Sequence, residues 1–266
     1  MKTRLLHFGW LICALGSAPA APPLTESTFT EIIKEAAVVA AATKNTTPAR
    51  TNEVFRVPDL VRTGPESRVE MTAPDKTITR IGANTVFTFE AAERTIRLER
   101  GSLLFHAPAG QGGGAIKHRG TTAAVVGTTL ICAVLADGSF KTLVLEGQAI
   151  VTLAAGRQIK LKAGESVVVS PDGNDLGAAQ VFNLGRLVSR LLLVMGFSQP
   201  LSSMPLIAAA IQLQSEQIAT GTLDHFISWR VAGTGLDLIP GYPEPLDSAN
   251  PFLLDHTLQY VSPSIP

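Results

Sequence analysis

The chain has 266 residues, of which 45% are apolar and 17% charged, so it can bury a substantial core and is not typical of a disordered protein. Its 22 Lys and Arg residues equal its 22 Asp and Glu residues. This balance argues against a protein whose whole surface attracts nucleic acid or anionic lipid, and we expect no nucleic-acid partner. The 23 Gly, 17 Pro and 6% aromatic residues are more typical of many short strands joined by turns than of a helical bundle.

Residues 1–20 predict a signal peptide. Lys2 and Arg4 precede a short apolar run at 5–15, and Ala18-Pro19-Ala20 supplies the small residues that a signal peptidase recognises. The run is shorter than the ~20 residues that a membrane-spanning helix needs, although an uncleaved anchor is the alternative. We therefore expect an exported protein, periplasmic or secreted, with no transmembrane span after cleavage. Cys132 would be its one remaining cysteine, buried and unreactive.

Residues 21–35 form a predicted N-terminal segment, and residues 36–172 carry the pattern of a β-domain. Stretch 31–44 is ambiguous between helix and strand, and we favour a strand. Alternating apolar residues and turn signals at intervals of roughly 8–12 residues predict about ten strands, in a sandwich, barrel or short β-solenoid. The predicted strands are Thr77–Ile81, Val86–Phe89, Thr95–Glu99, Ser102–His106, Ala115–His118, Ala123–Val134, Phe140–Glu146, Ala149–Leu153, Arg157–Leu161 and Ser166–Ser170.

Two glycine-containing turns interrupt this pattern. Asp137-Gly138 between apolar runs predicts a hairpin with a type I′ turn. The Gly-rich stretch 110–114 lacks the Gly-Lys-Ser/Thr ending of a phosphate-binding loop and precedes a strand, so we interpret it as a hairpin tip.

The C-terminal third changes character. Residues 173–220 predict helices at Asn183–Phe197 and Ser203–Gln217, the second with Ser203 as a cap and Pro205 in its first turn. We expect these helices to pack on the β-domain. The rich proline content of residues 221–266 predicts an extended tail.

The sequence contains no recognisable catalytic motif or paired cysteines, so we expect neither an enzyme nor a bound cofactor. His106 and His118 flank the Gly-rich stretch and could face each other across a hairpin as two metal ligands. Because no third ligand is evident, ordinary surface or half-buried histidines are the favoured interpretation, and we expect no metal.

Six short motifs occur in a fixed order between about 60 and 171. They are Arg62-Thr63-Gly64 with 67–70, the run 79–85, the run 101–105, Gly127-Thr128-Thr129, Leu145-Glu146-Gly147, and the run 163–166. In their order and spacing they resemble the FecR domain. The resemblance implies an extracytoplasmic all-β domain, jelly-roll-like or a rolled sandwich. The best-known members of the FecR family sense a loaded outer-membrane transporter and control a sigma factor through a cytoplasmic N-terminal segment.

This chain departs from that plan, because only four residues precede its apolar run and no convincing membrane span follows. We therefore expect a freestanding exported FecR-like module without the anti-sigma segment. For the family-motif residues we favour a structural role over ligand binding. These residues are Arg62, Thr63, Gly64, Arg80, Gly82, Asn84, Gly101, Gly127, Thr128, Glu146, Gly147 and Gly164.

The first functional hypothesis is a non-enzymatic envelope protein that binds another envelope protein in signalling or scaffolding. We expect its partner surface on the loops 106–119 and 136–139, because rigid β-scaffolds commonly present function on loops. The alternative is a secreted structural protein that self-associates through its helices and tail. A glycan-binding module is the weaker alternative, since only Trp229 would remain among the tryptophans.

Overall fold

The computed structural model describes residues 23–90, 93–223 and 232–240. The predicted signal peptide, the histidines at 225 and 256, Trp229 and most of the Pro-rich tail lie outside the described residues. Within them the strands are β1 (Glu26–Ile33), β2 (Ala36–Val39), β3 (Thr46–Pro48), β4 (Val54–Arg56), β5 (Leu60–Thr63), β6 (Arg68–Thr72), β7 (Ile78–Ile81), β8 (Val86–Phe89), β9 (Thr95–Ala107), β10 (Gly114–His118), β11 (Thr121–Val125), β12 (Thr128–Val134), β13 (Phe140–Glu146), β14 (Gln148–Thr152), β15 (Gln158–Lys162), β16 (Glu165–Val169) and β17 (Gln180–Val181), and the helices are α1 (Leu184–Val188), α2 (Leu192–Met195) and α3 (Met204–Ala219).

The strands form two sheets that share β9. Sheet A has the order β4-β1-β6-β7-β9-β12-β13-β16-β17. Sheet B has the order β3-β2-β5-β8-β9-β10-β11-β14-β15. Neighbouring strands are antiparallel except β9 and β10, which are parallel. The architecture is therefore a rolled sandwich in which one strand passes from one layer to the other.

Strand β9 changes sheets at Gly101. Before this glycine the strand pairs with β8 and β10 in sheet B, and after it with β7 and β12 in sheet A. Gly101 has φ +82°, and a Cβ there would lie 2.2 Å from the Thr85 hydroxyl oxygen. The sequence pattern predicts two strands separated at Gly101. The structure shows one strand, because a glycine can bend without ending the ladder.

The main core lies between the two sheets. Inward residues alternate with outward ones along each strand, as Leu103 and Phe105 do with Leu104. Phe29, Phe55, Phe87 and Phe89 pack as an aromatic cluster with ring centroids 5.6–6.4 Å apart. Cys132 is fully buried in this core, as predicted, and burial raises the pKa of its thiol to about 12.

A second core lies on the outer face of sheet A. Leu104, Ile131, Leu143 and Leu145 point outward from the sheet and are fully buried by the C-terminal helices. The helical residues that cover them include Leu184, Leu187, Leu193 and Ile207. We call α1–α3 together with residues 232–240 the C-terminal layer. Packing of the predicted helices on the β-domain is thereby confirmed.

The prediction of a mainly β protein with short C-terminal helices is confirmed, and the strand count is higher than predicted. Gly127, with φ +60°, divides the predicted strand Ala123–Val134 into β11 and β12. The region 31–44 contains strand structure, as favoured, in the end of β1 and in β2, followed by a turn at 41–43. Strand structure begins earlier than expected, at Glu26 inside the predicted N-terminal segment. β1 belongs in sheet A because it pairs with β4 and β6.

The predicted helix Asn183–Phe197 is interrupted. It starts as expected, with the Asn183 side chain accepting a hydrogen bond from the Arg186 backbone, but α1 ends at Val188. There the Arg190 carbonyl accepts from the Ile239 backbone, and the Leu192 backbone donates to Asp237, so a distant segment pairs where the helix would continue. Helix α3 has proline in its first turn as predicted, whereas Ser203 makes no side-chain cap.

The Asp137-Gly138 hairpin is present between β12 and β13, but its turn is not type I′. The Gly138 backbone donates to the Leu135 carbonyl, so Ala136 and Asp137 are the two central residues of the turn. Neither has a positive φ, whereas Gly138 after them has φ +86°. The turn is therefore type I followed by a left-handed glycine. The Asp137 carboxylate accepts from the Ser139 backbone at 2.9 Å, which stabilises this form.

Candidate functional site

The outer face of sheet B carries a short apolar strip. Cross-strand pairing places Ala115 beside Ala124, Ala124 beside Ile150, and Ile150 beside Lys160. Ile150 is 42% exposed, and Val126 at the end of β11 is 76% exposed. These are two of the few large apolar side chains exposed among the described residues. Since an outward apolar strip on a rigid sheet favours contact with another molecule, this face is the candidate site.

Charged residues border the strip on both sides. Lys117 contacts Glu90 and Glu93 at 2.9 Å each, and Arg97 contacts Glu90 at 2.8 Å. The hydrogen bond that Arg97 donates to Glu90 lowers the pKa of Glu90. The hydrogen bond that Lys117 donates to Glu93 raises the pKa of Lys117. On the other side, Lys160 and Lys162 of β15 are exposed. The face is therefore apolar at its centre, with internally paired charges on one flank and two lysines on the other.

The loops predicted as the partner surface do not form one surface. Residues 106–119 include the end of β9 and all of β10, so only 108–113 and Arg119 are turns. The tip 108–113 lies against the β11–β12 turn, where a Cβ on Gly127 would be 3.3 Å from Ala109. Arg119 lies at the opposite end of β10, beside Gly138, and donates to the Pro171 carbonyl. The candidate strip spans the strands between these ends.

Arg80, one of the motif residues, is the largest fully buried side chain. It donates to Glu70 on the neighbouring strand at 2.8 and 2.7 Å, and to the Val194 carbonyl at 2.9 Å. Its guanidinium also lies 4.3 Å from the Phe197 ring centroid. Arg80 therefore connects sheet A to the C-terminal layer.

Glu146 lies in a second buried polar cluster on the same face. The Thr129 hydroxyl is 2.7 Å from the Glu146 carboxylate, 2.8 Å from the Ser203 hydroxyl and 2.9 Å from His106 Nδ1. Burial lowers the pKa of His106 and raises the pKa of Glu146, so the cluster favours uncharged forms. Ser203 contacts this cluster in place of capping α3.

The remaining motif residues form two turn clusters and three isolated positions. Thr63 donates to the Gly82 carbonyl at 2.6 Å, and the Asn84 backbone donates to Gly64 at 3.0 Å. Thr128 donates to the Gln148 carbonyl at 2.9 Å. The first cluster comprises Thr63, Gly64, Gly82 and Asn84; the second comprises Gly127, Thr128 and Gly147; Gly101 lies within β9, Gly164 precedes β16, and Arg62 is exposed.

His106 and His118 do not face each other. His106 lies on the outer face of sheet A, whereas His118 stacks on Phe140 with ring centroids 5.7 Å apart and its Nδ1 2.8 Å from the Leu98 carbonyl. In the ranges that the structure describes, no three His, Cys, Asp or Glu side chains are arranged to hold a metal ion. The two-histidine arrangement is therefore absent.

Sequence reasoning missed the strip around Ile150. A signal was present, because Ala149, Ile150 and Val151 are consecutive apolar residues, and one face of any strand that contains them must present Ile150 away from Val151. Lys141 was also missed. It lies within β13, is 4% exposed, and donates to the carbonyls of Ala232 and Thr234.

A family model described as FecR protein matches residues 59–150, from the start of β5 into β14. The resemblance expected from the ordered motifs is confirmed for this range, which ends before Gly164. No curated protein matches the chain significantly.

Two crystal structures, at 1.65 and 2.50 Å resolution, of a candidate anti-sigma factor from Parabacteroides distasonis ATCC 8503 are similar to this chain, with a TM-score of 0.41 and 17% identity. Each match covers 46% of this chain and 59% of the solved chain, so the chain spans less than two thirds of that protein. Among the described helices, none has both the length and the apolar composition needed to cross a bilayer.

Proposed function

With a FecR domain at residues 59–150 as the premise, we propose that this protein is a non-enzymatic, exported protein of the bacterial cell envelope. Its β-domain binds another envelope protein and takes part in envelope signalling or scaffolding. The family match supports the envelope assignment, and the apolar strip on sheet B is the observation that supports binding.

The distribution of polar groups supports a binding role over a catalytic one. Arg80, Glu146 and Lys141 are buried under the C-terminal layer, where each contacts other parts of the chain. Catalytic groups usually line an accessible cleft, with a nucleophile or acid–base pair within reach of substrate. On the open face of sheet B, the acidic and basic side chains around Lys117 pair with one another. That face therefore offers a partner a rigid surface with apolar contacts.

The test is site-specific photo-crosslinking in intact cells of the source organism. A benzophenone amino acid replaces Ile150 on the strip, and Gln212, exposed on α3, serves as the matched control position. We expect one defined envelope protein to crosslink from position 150 and not from 212, and the mature N-terminus to follow residue 20. Equal labelling from both positions, or an unprocessed cytoplasmic chain, would overturn the proposal.

A second candidate, self-association, is favoured by the exposed face of α3. Leu206 and Leu213 lie two helical turns apart on this face and are 56% and 57% exposed. The same crosslinker at position 206 separates the two functions. A second copy of the chain captured from 206, with nothing captured from 150, would support a self-associating structural protein.

A further inference from the structure

Strand β15 is the longest edge strand of the two sheets among the described residues. Each sheet ends in two edge strands, and the other three are short: β3 and β4 have three residues each, and β17 has two. β3 also contains Pro48, which cannot donate a backbone hydrogen bond. β15 has five residues, contains no proline, and pairs in continuous register with β14. It is therefore the edge best suited to accept another strand.

The hairpin between β14 and β15 fixes which backbone groups face outward. The Leu153 backbone donates to Arg157 at 2.9 Å, which closes the turn. Because hydrogen-bonded and non-bonded pairs alternate in an antiparallel ladder, the Val151–Ile159 and Ala149–Leu161 pairs are bonded. The alternate residues Gln158, Lys160 and Lys162 then direct their N–H and C=O groups away from β14.

A contact of Lys162 supports this assignment. Its backbone N–H donates to the Glu165 carboxylate at 2.8 Å, on the side away from β14. The N–H and C=O groups of Gln158 and Lys160 point the same way by the two-residue period. They form a short row of donors and acceptors whose spacing matches the backbone of an extended chain.

We propose that the β15 edge binds an extended, acidic segment of the partner protein as an added strand of sheet B. This inference rests on the proposed function and names the kind of partner. The exposed side chains of Lys160 and Lys162 oppose pairing with the same edge of a second copy, because like charges would face each other. They favour a strand that carries carboxylates at alternate positions. Ile150, beside Lys160, gives that strand an apolar neighbour.

The probe is a fluorescein-labelled peptide that alternates Glu and Thr, titrated into the full mature chain and followed by fluorescence anisotropy and amide hydrogen exchange. We expect exchange at the amides of Gln158 and Lys160 to slow at least about tenfold when the peptide is bound. A peptide with Lys in place of Glu should bind at least about tenfold more weakly.

Lys160→Pro is the decisive variant, because it removes an outward N–H without breaking a hydrogen bond to β14. Its matched control, Lys160→Ala, removes the side-chain charge and keeps that N–H. We expect Lys160→Pro to abolish peptide binding, and Lys160→Ala to weaken it a few-fold. If the proline variant fails to fold, a peptide N-methylated at alternate residues tests the same bonds on the unchanged protein and should not bind.

Three outcomes would overturn the inference: no binding up to about 1 mM peptide, unchanged exchange at 158 and 160, or equal binding of the N-methylated peptide. Crosslinking at position 150 is independent of these results. If a partner is captured at position 150 but the β15 edge binds no peptide, the inference about this edge is refuted and the proposed function still stands. Loss of both signals would refute the proposed function as well.

Discussion

The outer faces of the two sheets differ in how they are covered. On sheet A, Leu104 and Leu143 point outward and are fully buried by the C-terminal layer. On sheet B, Arg97, Lys117 and Ile150 point outward and remain exposed or half-buried. Both sheets fill the same inner core, so the inner faces do not distinguish them. The difference shows that, among the described residues, the C-terminal layer covers the outer face of sheet A and leaves the outer face of sheet B open.

Buried polar groups help to hold the covered face. Arg80 and Lys141 each donate to backbone carbonyls of the C-terminal layer, and Asp237 accepts from the Ala83 backbone at 2.6 Å. A carbonyl buried without a partner costs roughly 1–3 kcal/mol, so these contacts specify where the layer docks. The charged groups on sheet B pair in solvent, where such pairs contribute little to the free energy of unfolding.

The largest expected effect is at Arg80. Arg80→Met leaves Glu70 buried without its cation and removes the donor to Val194, so the free energy of unfolding should fall by about 3–5 kcal/mol. The matched change on the open face is Arg97→Met, which breaks an exposed pair with Glu90 and should cost below about 1 kcal/mol. Denaturant unfolding of the mature chain measures both. Similar losses would contradict the distinction between the faces.

A pair of apolar truncations compares the faces directly. Leu143→Ala removes a fully buried side chain beneath the helices and should lower the free energy of unfolding by about 2–5 kcal/mol. Ile150→Ala truncates a side chain that is 42% exposed and should cost about 1 kcal/mol or less. The same unfolding experiment applies. A large loss at Ile150 would mean that an undescribed part of the chain covers the strip.

Glycine substitutions test the strand that joins the two faces. Gly101→Ala places a Cβ 2.2 Å from the Thr85 hydroxyl at φ +82°, and we expect a loss of about 3 kcal/mol from strain and overpacking. Gly156→Ala, at φ +85° with open space around it, should cost about 1–2 kcal/mol from backbone strain alone. Thermal unfolding of both variants checks the difference, and equal losses would refute a packing constraint at Gly101.

A pH dependence also belongs to the covered face. Burial lowers the pKa of Lys141 from 10.5 to about 8, so between these values the unfolded chain binds more protons. The free energy of unfolding should therefore gain a contribution that rises with pH over this range, by up to about 1.4 kcal/mol per pH unit. Lys141→Met should remove that contribution, whereas Lys160→Met on the open side should retain it. Parallel pH profiles of Lys141→Met and the unchanged protein would contradict this account.

Much of the β-structure was predictable because local signals agree with the fold. Val86–Phe89 and Phe140–Glu146 were predicted with the bounds that the structure shows, since alternation and turn residues mark both. The break after Val188 was not predictable, because it depends on pairing of Arg190 and Leu192 with residues 237–239. Around the candidate site, the sequence predicts turns in the stretches 110–114 and 136–139, but the strip that includes Ile150 requires the β11–β14 pairing.

The sequence by itself determined the mainly β character, the inward residues of most strands and the FecR resemblance, because period-two patterns and glycine positions are local properties of the chain. Only the tertiary structure decided which outward residues are buried. Leu143 and Ile150 both point outward from strands of similar composition, yet only Leu143 receives a helical layer. That layer comes from residues after 180, and contacts between distant segments leave no local period in the sequence. For the same reason, the position of β15 at the edge of sheet B could not be predicted before the pairing of the strands was known.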